Sequence, residues 1–220
     1  MRILIIGAGG VGSSAALIAA RRDFYEHIVI GDYDGDRAAA LVARIGDDRF
    51  SAIQIDASVA QAVAQACREH QITHVLNVVD PRFVMSIFEG AFLAGADYLD
   101  TAMSLSSAHP EKPHELTGVK LGDDQFAMAD AWEAKGRLAL VGIGVEPGMV
   151  DVFARYAADH LFSEIDELGV RDASDLVVHG YEFAPSFSIW TVIEECLNPP
   201  VIWEKDKGWY TTEPFSGAEV

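Results

Sequence analysis

The glycines near the start of the chain are the first residues whose types and spacing point to chemistry. They form Gly7-Ala8-Gly9-Gly10-Val11-Gly12, after four apolar residues and before small, helix-compatible ones, so the pattern predicts a strand, a tight turn and a helix. Gly7 permits the turn, Gly9 lets a diphosphate approach the backbone without meeting a Cβ, and Gly12 lets the helix lie close to the strand. The N–H groups at the start of the helix then face the phosphates. We therefore expect the following residues to contact a dinucleotide cofactor: Gly7, Gly9, Gly10, Val11 and Gly12.

A second apolar strand ends in an acid at the distance that such a site requires. His27-Ile28-Val29-Ile30-Gly31-Asp32 places Asp32 20 residues after Gly12, where a carboxylate holds the ribose 2′-hydroxyl. The alternative for Asp32 is a solvated position in the acidic turn 31–36. The acids of this turn repel a 2′-phosphate, which favours NAD over NADP, and Arg37 is the nearby cation that would reverse the preference.

Strands and helices alternate regularly through the first part of the chain. Six strands are predicted, at residues 3–6, 27–32, 50–56, 73–79, 97–101 and 137–142. This alternation predicts an α/β fold, a Rossmann doubly wound parallel sheet with its ligands beyond the carboxyl ends of the strands. At that edge we expect Asp56 to meet the adenine, and Asn77 with the main chain of Val78 and Val79 to border the nicotinamide ribose. Asp56 is equally a candidate strand-end cap, and Asn77 a hydrogen-bonded strand residue.

The composition of the chain argues against some classes of binding partner. The chain has 220 residues, half of them hydrophobic, so it has enough apolar side chains for a sizeable core, and its net charge of −18 argues against nucleic acid and against an anionic membrane surface. Cys67 and Cys196 are far apart and show no metal-binding spacing, so we expect free thiols, no metal and a cytoplasmic location. Residues 3–20 are uncharged, as in a signal peptide or membrane anchor, but their glycines fall at the cofactor-binding spacing.

The regular alternation of strands and helices ends after residue 162. The pattern there predicts strands at 165–170 and 176–179, a helix at 188–197, and a hairpin of 201–203 with 209–212. We therefore expect a Rossmann domain at 1–162, followed at 163–220 by the start of an α+β domain for substrate binding and dimerisation. That second domain has too few elements to bury its own sheet, so we expect its remainder to be missing or to come from another chain.

Several stretches together resemble the saccharopine dehydrogenase (saccharopine reductase) family, which includes carboxynorspermidine and lysine 6-dehydrogenases. They are the glycine stretch 7–12, Val75-Leu76-Asn77-Val78-Val79, Tyr98-Leu99-Asp100-Thr101, Gly144-Val145-Glu146-Pro147-Gly148, and Phe187-Ser188-Ile189-Trp190, which is similar to an aromatic-serine loop of the family. The resemblance implies an NAD(P)-dependent enzyme that acts on the C–N bond of an amino acid or polyamine precursor. It also implies a homodimer with substrate held between the Rossmann domain and the second domain.

The same resemblance implies the residues of a substrate site. The acid before Pro-Gly and the residues after the fifth strand contact substrate in the family, which here are Glu146, Ala102 and Met103. We expect Glu146 to be the catalytic residue that pairs with the substrate ammonium, the helix after Gly148 to hold a carboxylate, and Trp190 to pack on the substrate chain. Saccharopine enzymes usually have Asp in place of Glu146 and a Ser-Tyr type pair in place of Ala102-Met103, so saccharopine itself is not the expected substrate.

The expected reaction passes a hydride between nicotinamide C4 and the carbon of a C–N bond, by way of an imine. Two of the site residues have a simpler alternative role. Glu146 would merely complement a helix dipole, and Trp190 would be ordinary core. The alternative function is a non-catalytic nucleotide-binding regulator or scaffold on the same fold. An alcohol or sugar dehydrogenase is disfavoured because no Tyr-x-x-x-Lys pair is present.

Overall fold

Six parallel strands form the central sheet. The computed structural model describes residues 1–171, 177–182, 184 and 189–217. The strands are β1 (Arg2–Ile6), β2 (His27–Asp32), β3 (Phe50–Gln54), β4 (His74–Asn77), β5 (Asp97–Asp100) and β6 (Ala139–Leu140). Their spatial order is β3-β2-β1-β4-β5-β6. This is the strand order of the doubly wound Rossmann fold, so the predicted fold is confirmed.

Helices cover both faces of this sheet. They are α1 (Gly10–Ala19), α2 (Gly35–Ile45), α3 (Ala60–Glu69), α4 (Val84–Ala94), α5 (Asp123–Phe126) and α6 (Ala129–Ala134), with a 3₁₀ turn at Pro81–Phe83 before α4. One buried cluster joins Leu4 and Ile6 of β1 to Phe88 of α4 and Trp132 of α6. Ile5, between them on β1, belongs to the opposite cluster, which includes residues of α1 and α2. Successive strand side chains point to opposite faces, so the apolar run of β1 serves two cores.

The strand β6 is shorter than predicted, because side chains of β5 accept from the backbone N–H groups at both of its ends. The Leu138 N–H donates to the Asp97 carboxylate at 3.0 Å, and the Gly142 N–H donates to the Asp100 carboxylate at 2.7 Å. Only Ala139 and Leu140 remain in regular pairing with β5. The two acids therefore fix the ends of the edge strand from within its neighbour.

The sequence pattern at 123–136 is typical of one helix, but the structure has two short helices there. The chain bends at residues 127 and 128, where the Met128 N–H donates to the Gln125 carbonyl three residues back instead of four. The segment 103–122 is irregular, as its prolines and polar residues predict, apart from an isolated bridge between Ser107 and Val119. This long segment lies between β5 and α5.

The C-terminal part contains α7 (Met149–His160), α8 (Ile189–Leu197) and a hairpin of β7 (Val201–Glu204) with β8 (Gly208–Thr211). The helix at 188–197 and the hairpin are confirmed, apart from residue 188, which lies outside the described residues. The strand predicted at 165–170 is wrong, because those residues form no ladder. Of the strand predicted at 176–179, residue 176 lies outside the described residues and 177–179 are not in a strand. The hairpin packs on the long loop, where the Thr211 hydroxyl donates to the Pro113 carbonyl at 2.8 Å.

The described part of the chain shows neither a membrane-spanning helix nor a metal-binding cluster. No helix in it combines the length and apolar character needed to cross a membrane. It also brings no three His, Cys, Asp or Glu side chains together in a group that would hold a metal ion. Cys67 is buried and Cys196 is exposed, and both are free thiols.

Candidate cofactor and substrate site

The glycine loop between β1 and α1 has one packed side and one open side. Gly7 has a φ of +111°, which favours glycine, and a Cβ on Gly12 would lie 1.7 Å from the Gly7 carbonyl oxygen. A Cβ on Gly9 or Gly10 would meet nothing within 4 Å. Gly7 and Gly12 are therefore required by the turn itself, whereas Gly9 and Gly10 border open space.

The start of α1 faces that open space. Gly9 is the N-cap and no side chain caps the helix. The first N–H groups of a helix have no partner within it, and they carry its positive dipole end. Val11, in the first turn, has 56% of its surface exposed. This arrangement fits the diphosphate of a dinucleotide, which needs backbone donors and room for its oxygens.

Asp32 ties the end of β2 to the glycine loop. Its carboxylate is buried and accepts a hydrogen bond from the Ala8 N–H at 2.8 Å and another from the Asp34 N–H at 2.9 Å. A carboxylate has about four acceptor positions, so capacity for a ribose hydroxyl remains. Arg37 lies 3.7 Å from Asp32 and 3.8 Å from Asp34, with its side chain largely exposed.

The end of β4 borders the same loop. A Cβ on Gly7 would lie 2.7 Å from the Val79 side chain and 3.0 Å from the Val78 carbonyl oxygen. The Asn77 side chain is buried and serves the protein itself, since it accepts from the Val79 N–H at 3.2 Å and donates to the Tyr98 hydroxyl at 2.9 Å. The structure thus brings Val78 and Val79 beside the glycine loop, and it gives Asn77 the role of holding them there.

Asp56 follows β3 and is exposed. It accepts hydrogen bonds from the Ser58 hydroxyl at 2.6 Å and from the Ser58 N–H at 3.0 Å, and these bonds hold the pKa of its carboxyl below the ordinary value. Asp56 therefore orders a local turn, as its strand-end alternative predicts. A contact with the adenine stays a prediction.

Glu146 lies on the loop that leads from β6 to α7. Its side chain is exposed, and the peptide bond to Pro147 is cis. The acid that caps α7 is Asp151, whose carboxylate accepts from the Gly148 N–H at 2.8 Å. Asp151 therefore supplies the side-chain cap, and the roles of Glu146 as a substrate partner and as a complement to the helix dipole both stay predictions.

The backbone N–H groups at the start of α7 already have hydrogen-bond acceptors. Besides the Gly148 N–H, the N–H groups of Met149, Val150 and Asp151 donate to the carbonyls of Gly144, Val145 and Gly148. A substrate carboxylate at Gly148 would have to displace one of these bonds. The sequence could not show this, because carbonyl acceptors carry no residue signature.

The turn after β5 packs on the Glu146 loop. Met103 has a φ of 66°, and a Cβ on Gly142 would lie 2.8 Å from the Met103 methyl carbon. A Cβ on Gly144 would lie 2.5 Å from the Thr101 carbonyl oxygen. Ala102 lies between these two contacts. The structure thus brings Ala102 and Met103 together with the loop that carries Glu146.

Trp190 lies on α8 with 62% of its surface exposed, so it is not a core residue among the residues described. Its neighbours 187 and 188 in the aromatic-serine stretch lie outside the described residues. The packing of Trp190 against substrate stays a prediction.

The strand order, the glycine cradle and the buried Asp32 define a dinucleotide-binding Rossmann domain. The saccharopine dehydrogenase NADP binding domain family matches residues 3–140, which is more than half of the chain. The chain therefore belongs to this family, and its cofactor is NAD(P).

Two curated relatives extend the comparison to nearly the whole chain. A carboxynorspermidine synthase of Vibrio cholerae is 31% identical over 217 residues, which cover 93% of this chain and 50% of the relative. A carboxyaminopropylagmatine dehydrogenase of Synechocystis is 27% identical over 215 residues, which cover 98% of this chain and 52% of the relative. The chain thus spans about half the length of the curated relatives it matches.

One solved structure supports the fold. The apo saccharopine dehydrogenase (L-Glu forming) of Saccharomyces cerevisiae superposes with a TM-score of 0.55 at 17% identity, over 73% of this chain and 31% of that chain. At this identity the likeness concerns the fold.

Proposed function

We propose that this chain is an NAD(P)-dependent oxidoreductase that transfers a hydride to or from the carbon of a C–N bond in a carboxylated polyamine or a related amino acid. The observation that carries the proposal is the packing of the Met103 turn against the Glu146 loop. Both lie beyond the carboxyl ends of β5 and β6, at the sheet edge that the cofactor residues share. Glu146 is exposed there, which supports a role for it in binding a cationic substrate.

The residues have separable tasks in this proposal. The glycine loop, Asp32 and the main chain of Val78 and Val79 hold the cofactor, whose nicotinamide, when bound, takes up or gives the hydride. Glu146 pairs with a substrate ammonium and orients the carbon that reacts. In the oxidative direction the carbon loses a hydride, the nitrogen loses a proton, and water hydrolyses the imine to an aldehyde and an amine.

The substrate class rests on the names of the relatives and on charge. Carboxynorspermidine and carboxyaminopropylagmatine both combine a carboxylate with several basic nitrogens. A chain with a net charge of −18 attracts such cations and raises their local concentration. The Glu in place of Asp before Pro-Gly, together with Ala102 and Met103, separates this chain from the saccharopine enzymes.

We propose NAD as the preferred cofactor. The Asp32 carboxylate is held rigidly at the glycine loop, and Asp34 and Asp36 add negative charge beside it. A 2′-phosphate would meet this charge, with Arg37 as its cationic partner. The homodimer, the cytoplasmic location and the division at residue 162 also remain proposals, and light scattering on the purified protein tests the first of them.

The test is a turnover assay. NAD⁺ or NADP⁺ is supplied with carboxynorspermidine, carboxyaminopropylagmatine, saccharopine or lysine, and the absorbance of the reduced nicotinamide is followed. We expect turnover with a carboxylated polyamine. Saturable NADH binding without turnover of any of the four would instead favour a non-catalytic nucleotide-binding scaffold.

A further inference from the structure

Asp100, the last residue of β5, is a fully buried carboxylate at the candidate substrate edge. Its exposed fraction is 0%. One oxygen accepts from the Gly142 N–H at 2.7 Å and from the Met103 N–H at 3.2 Å. The other accepts from the Gln125 side chain at 2.7 Å. A buried carboxylate is retained only with this many donors, because its desolvation costs several kcal/mol.

The two backbone N–H groups that Asp100 accepts from belong to residues in the left-handed region. Gly142 has a φ of 65° and Met103 a φ of 66°. A left-handed conformation costs a residue with a side chain about 1 kcal/mol, so the surroundings must impose it on Met103. The Met103 side chain also packs on Gly142. Asp100 thus fixes two turns that lie against each other.

A separate hydrogen-bond chain lies on the cofactor side of the edge. Tyr98 is hydrogen-bonded to Asn77, which accepts from the Val79 N–H. On the other side Gln125 accepts from the Ser104 N–H at 2.8 Å. Burial is the main cause that raises the pKa of Tyr98, and the nearby Asp100 charge adds to it, so its hydroxyl stays neutral. Asp100 and Gln125 therefore join α5 to the Met103 turn and to the loop that begins at Gly142.

We propose that Asp100 is a positioning residue of the substrate pocket, and that its carboxylate fixes the Met103 turn against the loop that carries Glu146. The proposal rests on the proposed function for the identity of the pocket. Asp100 acts through Glu146 and Met103 and does not itself touch substrate. An amide in its place presents a donor to either Gln125 or the two backbone N–H groups, so at least one set of bonds is lost.

The chain offers a matched control. Asp97 lies on the same strand and accepts a backbone N–H from Leu138, at the opposite end of the β5–β6 pair. We expect Asp100→Asn to lower kcat/KM for carboxynorspermidine by about 100-fold, because displacement of a positioning group by about 1 Å has such an effect. The Kd for NADH should stay within about twofold of wild type. Asp97→Asn should leave both quantities unchanged while it lowers the melting temperature.

A double-mutant cycle separates positioning from general damage. If Asp100 acts by placing Glu146, Asp100→Asn in a Glu146→Gln background should lower kcat/KM by far less than it does alone. Additive effects, an equal loss of NADH affinity, or the same kinetic loss in Asp97→Asn would each overturn the proposal. If Asp100→Asn does not fold, Gln125→Met removes one donor at similar volume and must show a smaller loss in the same direction.

Amide hydrogen exchange on the full chain tests the proposal independently of turnover. Asp100→Asn should speed exchange at residues 101–104 and 142–148, and Asp97→Asn should speed it near Leu138 only. If wild type turns over no substrate, the proposed function fails and exchange still decides the role of Asp100 in fixing the loops. Unchanged exchange in both segments would overturn it.

Discussion

The Asp32 carboxylate accepts a hydrogen bond from the Ala8 N–H at 2.8 Å, so the end of β2 and the glycine loop form one rigid unit. Asp32→Asn keeps the shape of the side chain and removes its charge. We expect the ratio of the Kd for NADPH to the Kd for NADH to fall about tenfold, since a hydrogen bond to a charged group is worth about 1.5–3 kcal/mol. Energy transfer from tryptophan to the reduced nicotinamide measures both constants. Asp36→Asn is the control with the same change in charge, and an equal effect there would contradict a specific role for Asp32.

Substitutions at two glycines of the loop should have different effects. Gly12→Ala should mainly lower stability, and Gly9→Val should mainly weaken cofactor binding. A Cβ on Gly12 meets the Gly7 carbonyl oxygen, so Gly12→Ala should lower the free energy of unfolding by about 1–3 kcal/mol. Gly9 borders open space in an extended conformation, so Gly9→Val should cost about 1 kcal/mol or less, through the poorer N-cap. Its branched side chain should nevertheless raise the Kd for NADH at least about tenfold, a loss of about 1.4 kcal/mol. Denaturant unfolding and NADH titration of both variants check this. NADH affinity equal to wild type in Gly9→Val would mean that the cofactor lies elsewhere.

Glu146 should affect the amine substrate and not the cofactor. Asp151 supplies the side-chain cap of α7, so Glu146→Gln leaves that cap in place. We expect kcat/KM for a carboxylated polyamine to fall about 10–100-fold, the worth of a hydrogen bond to a charged group, at unchanged NADH affinity. Glu89→Gln, an exposed acid on α4, is the matched control. Steady-state kinetics that do not differ between the two variants would remove Glu146 from the site.

His27 should make the fold less stable in acid. Burial lowers the pKa of His27 from 6.5, and the charges of Arg2 and His70 lower it further. The unfolded chain therefore takes up this proton before the folded chain does, so the free energy of unfolding falls as the pH drops below about 6.5. Denaturant unfolding should be measured between about pH 5 and 8, the range in which histidines titrate. The free energy of unfolding should depend less steeply on pH for His27→Gln than for wild type. The exposed His114→Gln is the control, and equal slopes in the two variants would contradict the assignment.

Local patterns in the sequence were sufficient for the Rossmann sheet and the glycine loop. The apolar runs of β1 and β2, the spacing of Gly7, Gly9 and Gly12, and the acid at the end of β2 are all signals within a short stretch of chain. Their contacts depend on a strand order that all parallel α/β sheets of this kind share. The fold and the placement of Asp32 beside the loop follow from these features.

The candidate substrate edge was less predictable because its contacts join distant residues. Asp100 and Gln125 are 25 positions apart and meet only through the packing of α5 on the sheet. The length of β6 depends on whether Asp97 and Asp100 take over its end hydrogen bonds. The sequence also could not show that carbonyls of the preceding loop accept from the N–H groups at the start of α7.

Isotope transfer tests the central claim most directly. Carboxynorspermidine carrying deuterium on the two carbons bonded to its secondary nitrogen is oxidised with NAD⁺, and the reduced cofactor is analysed by mass spectrometry. We expect one deuterium in the reduced nicotinamide for each turnover, because the hydride comes from the carbon of the C–N bond. Reduced nicotinamide that carries no deuterium would contradict this transfer.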